Sequence, residues 1–237
     1  MSLILAVDTS AKQVSCALAR EGQVIASFYA NTGLTHSQTL MPMIDDLLKI
    51  AECTVADLDA VAVNAGPGSF TGVRIGVSAV KGIAFTGDLP CVSVSTLESM
   101  AENTLSVPNT VICCLMDARC RQVYGALFLR DECGELCRLC DDEALTIEQM
   151  GERLIALGRS VVLVGDGSEL CYRTWKDIIP NIYLAPPSSR YQSAAATAVI
   201  ACRKLEEGMT VSAEELQPVY LRLPQAEREL NARLNNK

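Results

Sequence analysis

The segment Gly66-Pro67-Gly68-Ser69-Phe70-Thr71-Gly72 lies between an apolar run and a helical pattern, where it could do chemistry. A glycine-rich turn feeding a helix N-terminus can bind an anion, because free amides and the helix dipole point the same way. It lacks the Gly-Lys-Ser/Thr of a nucleotide-binding P-loop. The same residues also describe a tight strand-to-helix turn capped by Ser69. A second polar turn, Asp8-Thr9-Ser10, ends the apolar run Leu3–Val7; such residues commonly satisfy turn amides. His36 is the only histidine, which argues against Ser-His-Asp and Cys-His catalysis and against a metal site built on imidazoles. A capping or hydrogen-bonded role is expected for it. Cys133, Cys137 and Cys140 have a spacing that ligates iron–sulfur clusters in radical enzymes. No glycine-rich cofactor motif accompanies them, and eleven cysteines make chance spacings common.

These residues must be positioned by a mixed α/β framework. Leu3–Val7 reads as a buried strand. Val14–Leu18 and Val24–Ala30 read as a hairpin turning at Glu21-Gly22. His36 to Ala51 has helical periodicity. Val61–Val63 is a short strand, and Ser69 opens a helix to about Phe85. Cys91–Val94 is followed by a short helix from Thr96. Strands resume at Val111–Met116, Val123–Leu129 and Val161–Val164, and an alanine-rich helix runs from Ser189 to Glu207. Alternating strands and helices indicate an α/β architecture.

Composition sets bounds. The 237 residues are 49% hydrophobic with 5% aromatics, so the core must be aliphatic. The net charge of −8 repels phosphate backbones, and no basic cluster offsets it. Strong RNA binding by this chain alone is not expected. The apolar start reaches Asp8 at once, without the basic region or cleavage site of a signal peptide. Cysteines without an export signal fit a reducing, cytoplasmic setting.

The second half echoes the first. Ala6–Leu18 (AVDTSAKQVSCAL) and Leu115–Leu127 (LMDARCRQVYGAL) align at constant offset, with Asp8 on Asp117, Gln13 on Gln122 and Val14 on Val123. A duplicated strand–Asp-turn–strand unit resembles the opening of each lobe in the actin/hexokinase/sugar-kinase superfamily. That resemblance implies a two-lobed actin-like fold, with a lobe of residues 1–105, a lobe of residues 106–237, and a boundary near Ser106–Asn109. It also implies a nucleotide cleft at Asp8, Thr9, Ser10 and Asp117. In actin-like ATPases the aspartate holds metal-bound water while neighbouring hydroxyls and amides take phosphate oxygens. Here the second turn reads Asp117-Ala118-Arg119, without paired hydroxyls. Gly165-Asp166-Gly167 could still offer backbone donors. The cleft is expected to be degenerate.

Two helices suggest a partner surface. Wound at about 100° per residue, Leu40, Met41, Ile44, Leu47, Leu48 and Ala51 fill a wider arc than one core face needs. In the next helix Gly72, Gly76 and Ala79 form a stripe of small side chains open to close helix approach. Packing of both faces inside one lobe is the competing explanation. The expectation is that these nine residues contact a partner.

At LAVDTS, THSQTLMPMIDDLL and AVNAGPGSFTGVRIGVSAVKGIA the chain resembles the TsaB (YeaZ) family over essentially its whole length. These are partner subunits in bacterial threonylcarbamoyladenosine modification of transfer RNA. The resemblance implies a non-catalytic cytoplasmic scaffold that binds the catalytic subunit TsaD through the N-lobe helices. A small ATPase, TsaE, is implied as a third partner, and tRNA is met only within the complex. The same apolar face implies a homodimer when the chain is alone. TsaD shares the layout and has a metal-holding His-x-x-x-His where this chain has Thr96 and Met100. No metal or other cofactor is therefore implied. The alternatives are an actin-like ATPase and a metal-dependent protease of the kind once called glycoprotease.

Overall fold

The computed structural model describes residues 2–104 and 109–222. The first sheet contains β1 (Leu3–Asp8), β2 (Val14–Arg20), β3 (Gln23–Ala30), β4 (Ala60–Gly66) and β5 (Cys91–Ser95), in the order β3-β2-β1-β4-β5. Its first three strands pair antiparallel, and β4 and β5 add in parallel. The second sheet contains β6 (Val111–Asp117), β7 (Gln122–Arg130), β8 (Leu136–Arg138), β10 (Val161–Val164) and β11 (Ile182–Leu184). Its order is β8-β7-β6-β10-β11, with the same antiparallel and parallel pattern, and β9 (Glu143–Thr146) also pairs with β7. One topology is thus used twice, and the chain has a two-lobed actin-like α/β fold. The central strands β1, β4 and β6 are almost wholly apolar, apart from Asn64 and the terminal Asp8 and Asp117, because both of their faces are covered.

Helices α1 (His36–Ile50) and α2 (Phe70–Gly87) cover one face of the first sheet. Helices α4 (Ile147–Leu157) and α5 (Ser168–Trp175) cover the matching face of the second. Ser69 caps α2 by accepting a hydrogen bond from Gly72 N at 3.3 Å. No helix among the described residues is long and apolar enough to cross a membrane.

The remaining two helices are exchanged between the sheets. Helix α3 (Thr96–Glu102) follows the first sheet in sequence but sets Leu97, Met100 and Ala101 against Ile112, Cys114 and Phe128 of the second. Helix α6 (Ala194–Glu206) follows the second sheet but packs Ala194, Ala198 and Ile200 on Ile4, Ala6, Ala17 and Ala62 of the first. Alanines on both sides allow this close approach. The helices meet where Ser99 Oγ lies 3.0 Å from Thr197 Oγ1. A division at the expected boundary follows chain order but not packing; of that boundary, residues 105–108 lie outside the described ones.

The alanine-rich helix begins at Ala194 rather than Ser189, because Ser193 takes the N-cap and accepts from Ala195 N at 3.2 Å. Helices α4 and α5 and strands β8, β9 and β11 were not expected from periodicity. Three of them span four residues or fewer. Helix α4 does carry a readable start, a capping box of Thr146 and Gln149.

Candidate functional site

The two Asp-bearing turns face each other across a cleft of about 650 Å³ between the lobes. Ser10 and Lys12 line one side, Asp117 and Arg119 the other, and Tyr220 and Arg222 from the C-terminal segment complete the wall.

On the first side the polar groups are engaged with one another. Asp8 is buried, and its Oδ1 accepts from Ser10 N at 2.8 Å. Thr9 Oγ1 donates to Gly72 O at 2.7 Å, and Ser69 N donates to Ser10 O at 2.7 Å. The β1–β2 turn is therefore bolted to the N-terminus of α2, and the Ser69 amide is not available to an anion. His36 Nε2 lies 2.7 Å from Ala11 O, fastening α1 to the same turn. On the second side Asp117 Oδ1 accepts from Arg119 N at 2.8 Å and Oδ2 pairs with its guanidinium at 3.1 Å. The amides of Gly165 and Gly167 donate to Arg190 O at 2.6 Å and Leu115 O at 3.0 Å. These two donors, open candidates in the sequence, are in use.

The two aspartates are not structural mirror images. Asp8 is in phase with Ile4 and Ala6, which face α6, whereas Asp117 is in phase with Val111, Cys113 and Leu115, which face α4 and α5. Asp8 pairs with Ser15 but Asp117 with Val123, so the second hairpin closes one residue sooner. The turns share an Asx geometry, while the strands leading into them are one residue out of step.

Burial raises the Asp8 carboxyl above the ordinary aspartate value, against the lowering effect of its bonds to Ser10. A carboxyl that binds its proton more tightly when folded contributes stability below its unfolded value and loses it as pH rises through the folded one. Each unit of such a rise costs about 1.4 kcal/mol once the group is ionised. Asp8→Asn keeps an acceptor for Ser10 N and cannot ionise. Its melting temperature relative to the parent should climb as pH rises above the ordinary aspartate value; a gap that stays flat would contradict the assignment.

Thr96 and Met100, one turn apart on α3, are fully buried, and Met100 belongs to the apolar layer on the second sheet. Among the described residues no three His, Cys, Asp or Glu side chains gather as a metal site. Cys133 and Cys137 are exposed, while Cys140 Sγ accepts from Leu127 N at 3.3 Å.

The expected partner residues are mostly internal. Leu40, Ile44, Leu47 and Leu48 are buried with Val14, Cys16 and Leu18 of β2, and Ala51 packs half-buried on that core. The broad apolar arc of α1 is filled by the sheet on one side and by α2 on the other. Gly72 and Gly76 are buried too. A Cβ at Gly76 would stand 2.5 Å from Thr9 Oγ1 and 3.3 Å from Val63 Cγ2, and one at Gly72 would strike the Thr9 carbonyl. The glycine stripe admits the β1–β2 turn, not a foreign helix, and Ala79 packs half-buried beside it. Of the nine, Met41 is exposed, at 49%.

The outward face of α2 carries different residues. Thr71, Arg74, Ser78, Gly82 and Phe85 follow one another at intervals of three and four. Phe85 is 82% exposed, and a Cβ at Gly82 would meet nothing within 4 Å. The stripe is visible in the sequence as a second helical line beside Gly72, Gly76 and Ala79.

Comparison with known proteins adds a consistent pattern. The family described as "TsaD: tRNA N6-adenosine threonylcarbamoyltransferase" matches residues 30–230. The tRNA threonylcarbamoyladenosine biosynthesis protein TsaB of Escherichia coli is 36% identical over 92% of this chain and 94% of its own length. The protein of the same name from Bacillus subtilis is 31% identical over 94% of this chain and 96% of its own. The solved structure of YeaZ from Pseudomonas aeruginosa, 31% identical, superposes with a TM-score of 0.79 and covers 93% of this chain and all of that one.

Proposed function

This chain belongs to the TsaB family of tRNA threonylcarbamoyladenosine biosynthesis proteins, and from that premise we propose that it acts there as a non-catalytic subunit docking on TsaD. The observation that carries the reading is the burial of Thr96 and Met100 on α3. At these positions the resemblance to TsaD puts the metal-holding histidines. A hydroxyl and a thioether enclosed in core cannot replace two imidazoles. The cleft supports the same reading, since the Ser69, Gly165 and Gly167 amides beside it serve the fold. Threonylcarbamoyl transfer then belongs to TsaD, and this chain meets tRNA only through the complex. TsaE is the third partner, and the setting is cytoplasmic.

The docking surface we assign is the outward face of α2 with the exposed side of α1, where Met41, Ile50 and Phe85 are solvent-exposed. Glycine at an exposed helix interior costs about 1 kcal/mol relative to alanine, and nothing within this chain needs the space at Gly82. In the absence of TsaD the same face would pair two copies of this chain.

Gly82→Arg tests the assignment. The free protein should melt no lower than the parent, and be up to about 1 kcal/mol more stable, because the position is open and a glycine is replaced by a better helix former. Co-purification with TsaD, and the transfer activity of the reconstituted mixture, should be lost. A Gly82→Arg protein that still co-purifies would remove α2 from the interface. Transfer to tRNA by this chain without TsaD would end the non-catalytic reading.

A further inference from the structure

We propose that Arg74 is a preformed anchor for a carboxylate on the docking helix of the partner protein, an inference that rests on the α2 surface assigned above. Its guanidinium carbon stands 3.8 Å from the centroid of the Phe70 ring and 5.8 Å from that of Tyr220. Its Nε donates to Tyr220 Oη at 2.8 Å. The two rings lie 4.8 Å apart at 32° to each other. Tyr220 is itself fixed, because the C-terminal segment that carries it is pinned on both sides. Val219 N donates to Ala65 O at 2.7 Å, and Arg222 donates to Ala118 O at 2.7 Å. An arginine side chain ordinarily loses about 2 kcal/mol of rotamer freedom when it is immobilised. Here that loss has already occurred within the chain.

What the arrangement holds ready is an unneutralised charge. Eight other arginines, among them Arg119, Arg138 and Arg190, pair with an aspartate or glutamate. Arg74 has no such partner among the described residues, although the chain carries a net charge of −8. With Nε engaged by tyrosine, the terminal nitrogens remain for a bidentate acceptor. Beside them lies a shallow groove of about 410 Å³ whose walls are Phe70, Thr71, Arg74, Ile75 and Ser78. Its lining is largely apolar and holds one cation. That suits a single carboxylate on an otherwise apolar helix better than a phosphate backbone, which calls for several cations. The groove continues into the Ser78–Gly82 line, so one helix could lay its backbone over the small residues and its acid on Arg74.

The test measures TsaD binding to the full chain by calorimetry, at low and high salt, beside the melting temperature of each free variant. Arg74→Lys should weaken binding by about tenfold, since an ammonium loses the fork geometry. Arg74→Glu should weaken it by more than about a hundredfold, through like-charge contact. Arg74→Gln should flatten the salt dependence of affinity, and no variant should shift the melting temperature appreciably. Reversing the charge of the contacted carboxylate in TsaD should restore binding to Arg74→Glu and not to Arg74→Gln. If Gly82→Arg abolishes binding while Arg74→Glu binds as the parent does, the surface stands and the anchor falls. If neither matters, the surface itself is wrong. Should Arg74→Glu melt early, the salt response of Arg74→Gln decides: an unchanged response overturns the proposal.

Discussion

Gly76→Arg should leave no folded protein, whereas the same change at Gly82 on the same helix should leave the fold intact. The inner position has the Thr9 hydroxyl at 2.5 Å and a Val63 methyl at 3.3 Å from where a Cβ would begin. A guanidinium there would have to displace the β1–β2 turn or enter the core among Val63, Val73 and Val77. Burying an unpaired charge and overpacking together exceed about 4 kcal/mol, a large part of the roughly 5–15 kcal/mol that holds a domain together. Gly76→Ala should already cost about 1–3 kcal/mol, because Thr9 cannot retreat without giving up its bond to Gly72 O. Circular dichroism melts of the three variants check this. A native-like melt for Gly76→Arg would show that α2 does not sit on the turn as described.

The second large effect concerns the exchanged helices. Fragments 1–105 and 106–237, made separately, should each fail to give a folded protein. The first lacks α6 and leaves Ile4, Ala6, Ala17, Ala62 and Val92 uncovered; the second lacks α3 and leaves Ile112, Cys114 and Phe128 uncovered. In the full chain Ile200→Asp should cost more than about 3 kcal/mol, since Ile200 is 1% exposed within that layer. A well-dispersed amide spectrum from fragment 1–105 alone would contradict this packing. Mixing the two fragments should recover structure if both are kept soluble.

These cases also show which parts of the molecule were legible in the sequence. The strands of the first sheet stand out because Leu3–Val7 of β1 and Ala60–Val63 of β4 are unbroken apolar runs, and Ser69 marks the start of α2 by its capping chemistry. The duplication is visible at Asp8 and Asp117 because turns conserve residue types. The one-residue change of phase is not visible, since it depends on where each hairpin closes. The inward orientation of Gly72 and Gly76 could not be read either: helical spacing says that residues share a face, not which neighbour the face meets. The same holds for α6, whose composition reveals a helix but not that it crosses to the other sheet. Arg74 gives only half a signal: Phe70, on which it stacks, lies one turn before it on α2, but Tyr220, which takes its Nε, lies 146 positions away.

The exchange of helices has a consequence during synthesis on the ribosome. About 100 residues separate the end of β5 from the start of α6, which at roughly 5–20 residues per second means a delay of some 5–20 s. Through that interval the strands of the first sheet have emerged without the helix that covers one of their faces. Apart from Ile4, Val92 and Val94, that face presents the small side chains of Ala6, Ala17, Ala19, Ala60 and Ala62, with no leucine or phenylalanine. Methyl groups offer little area for a stray chain or a chaperone to grip, since attraction scales with the apolar surface removed from water. The alanines that let α6 pack closely at the end also keep the nascent chain from sticking while it waits.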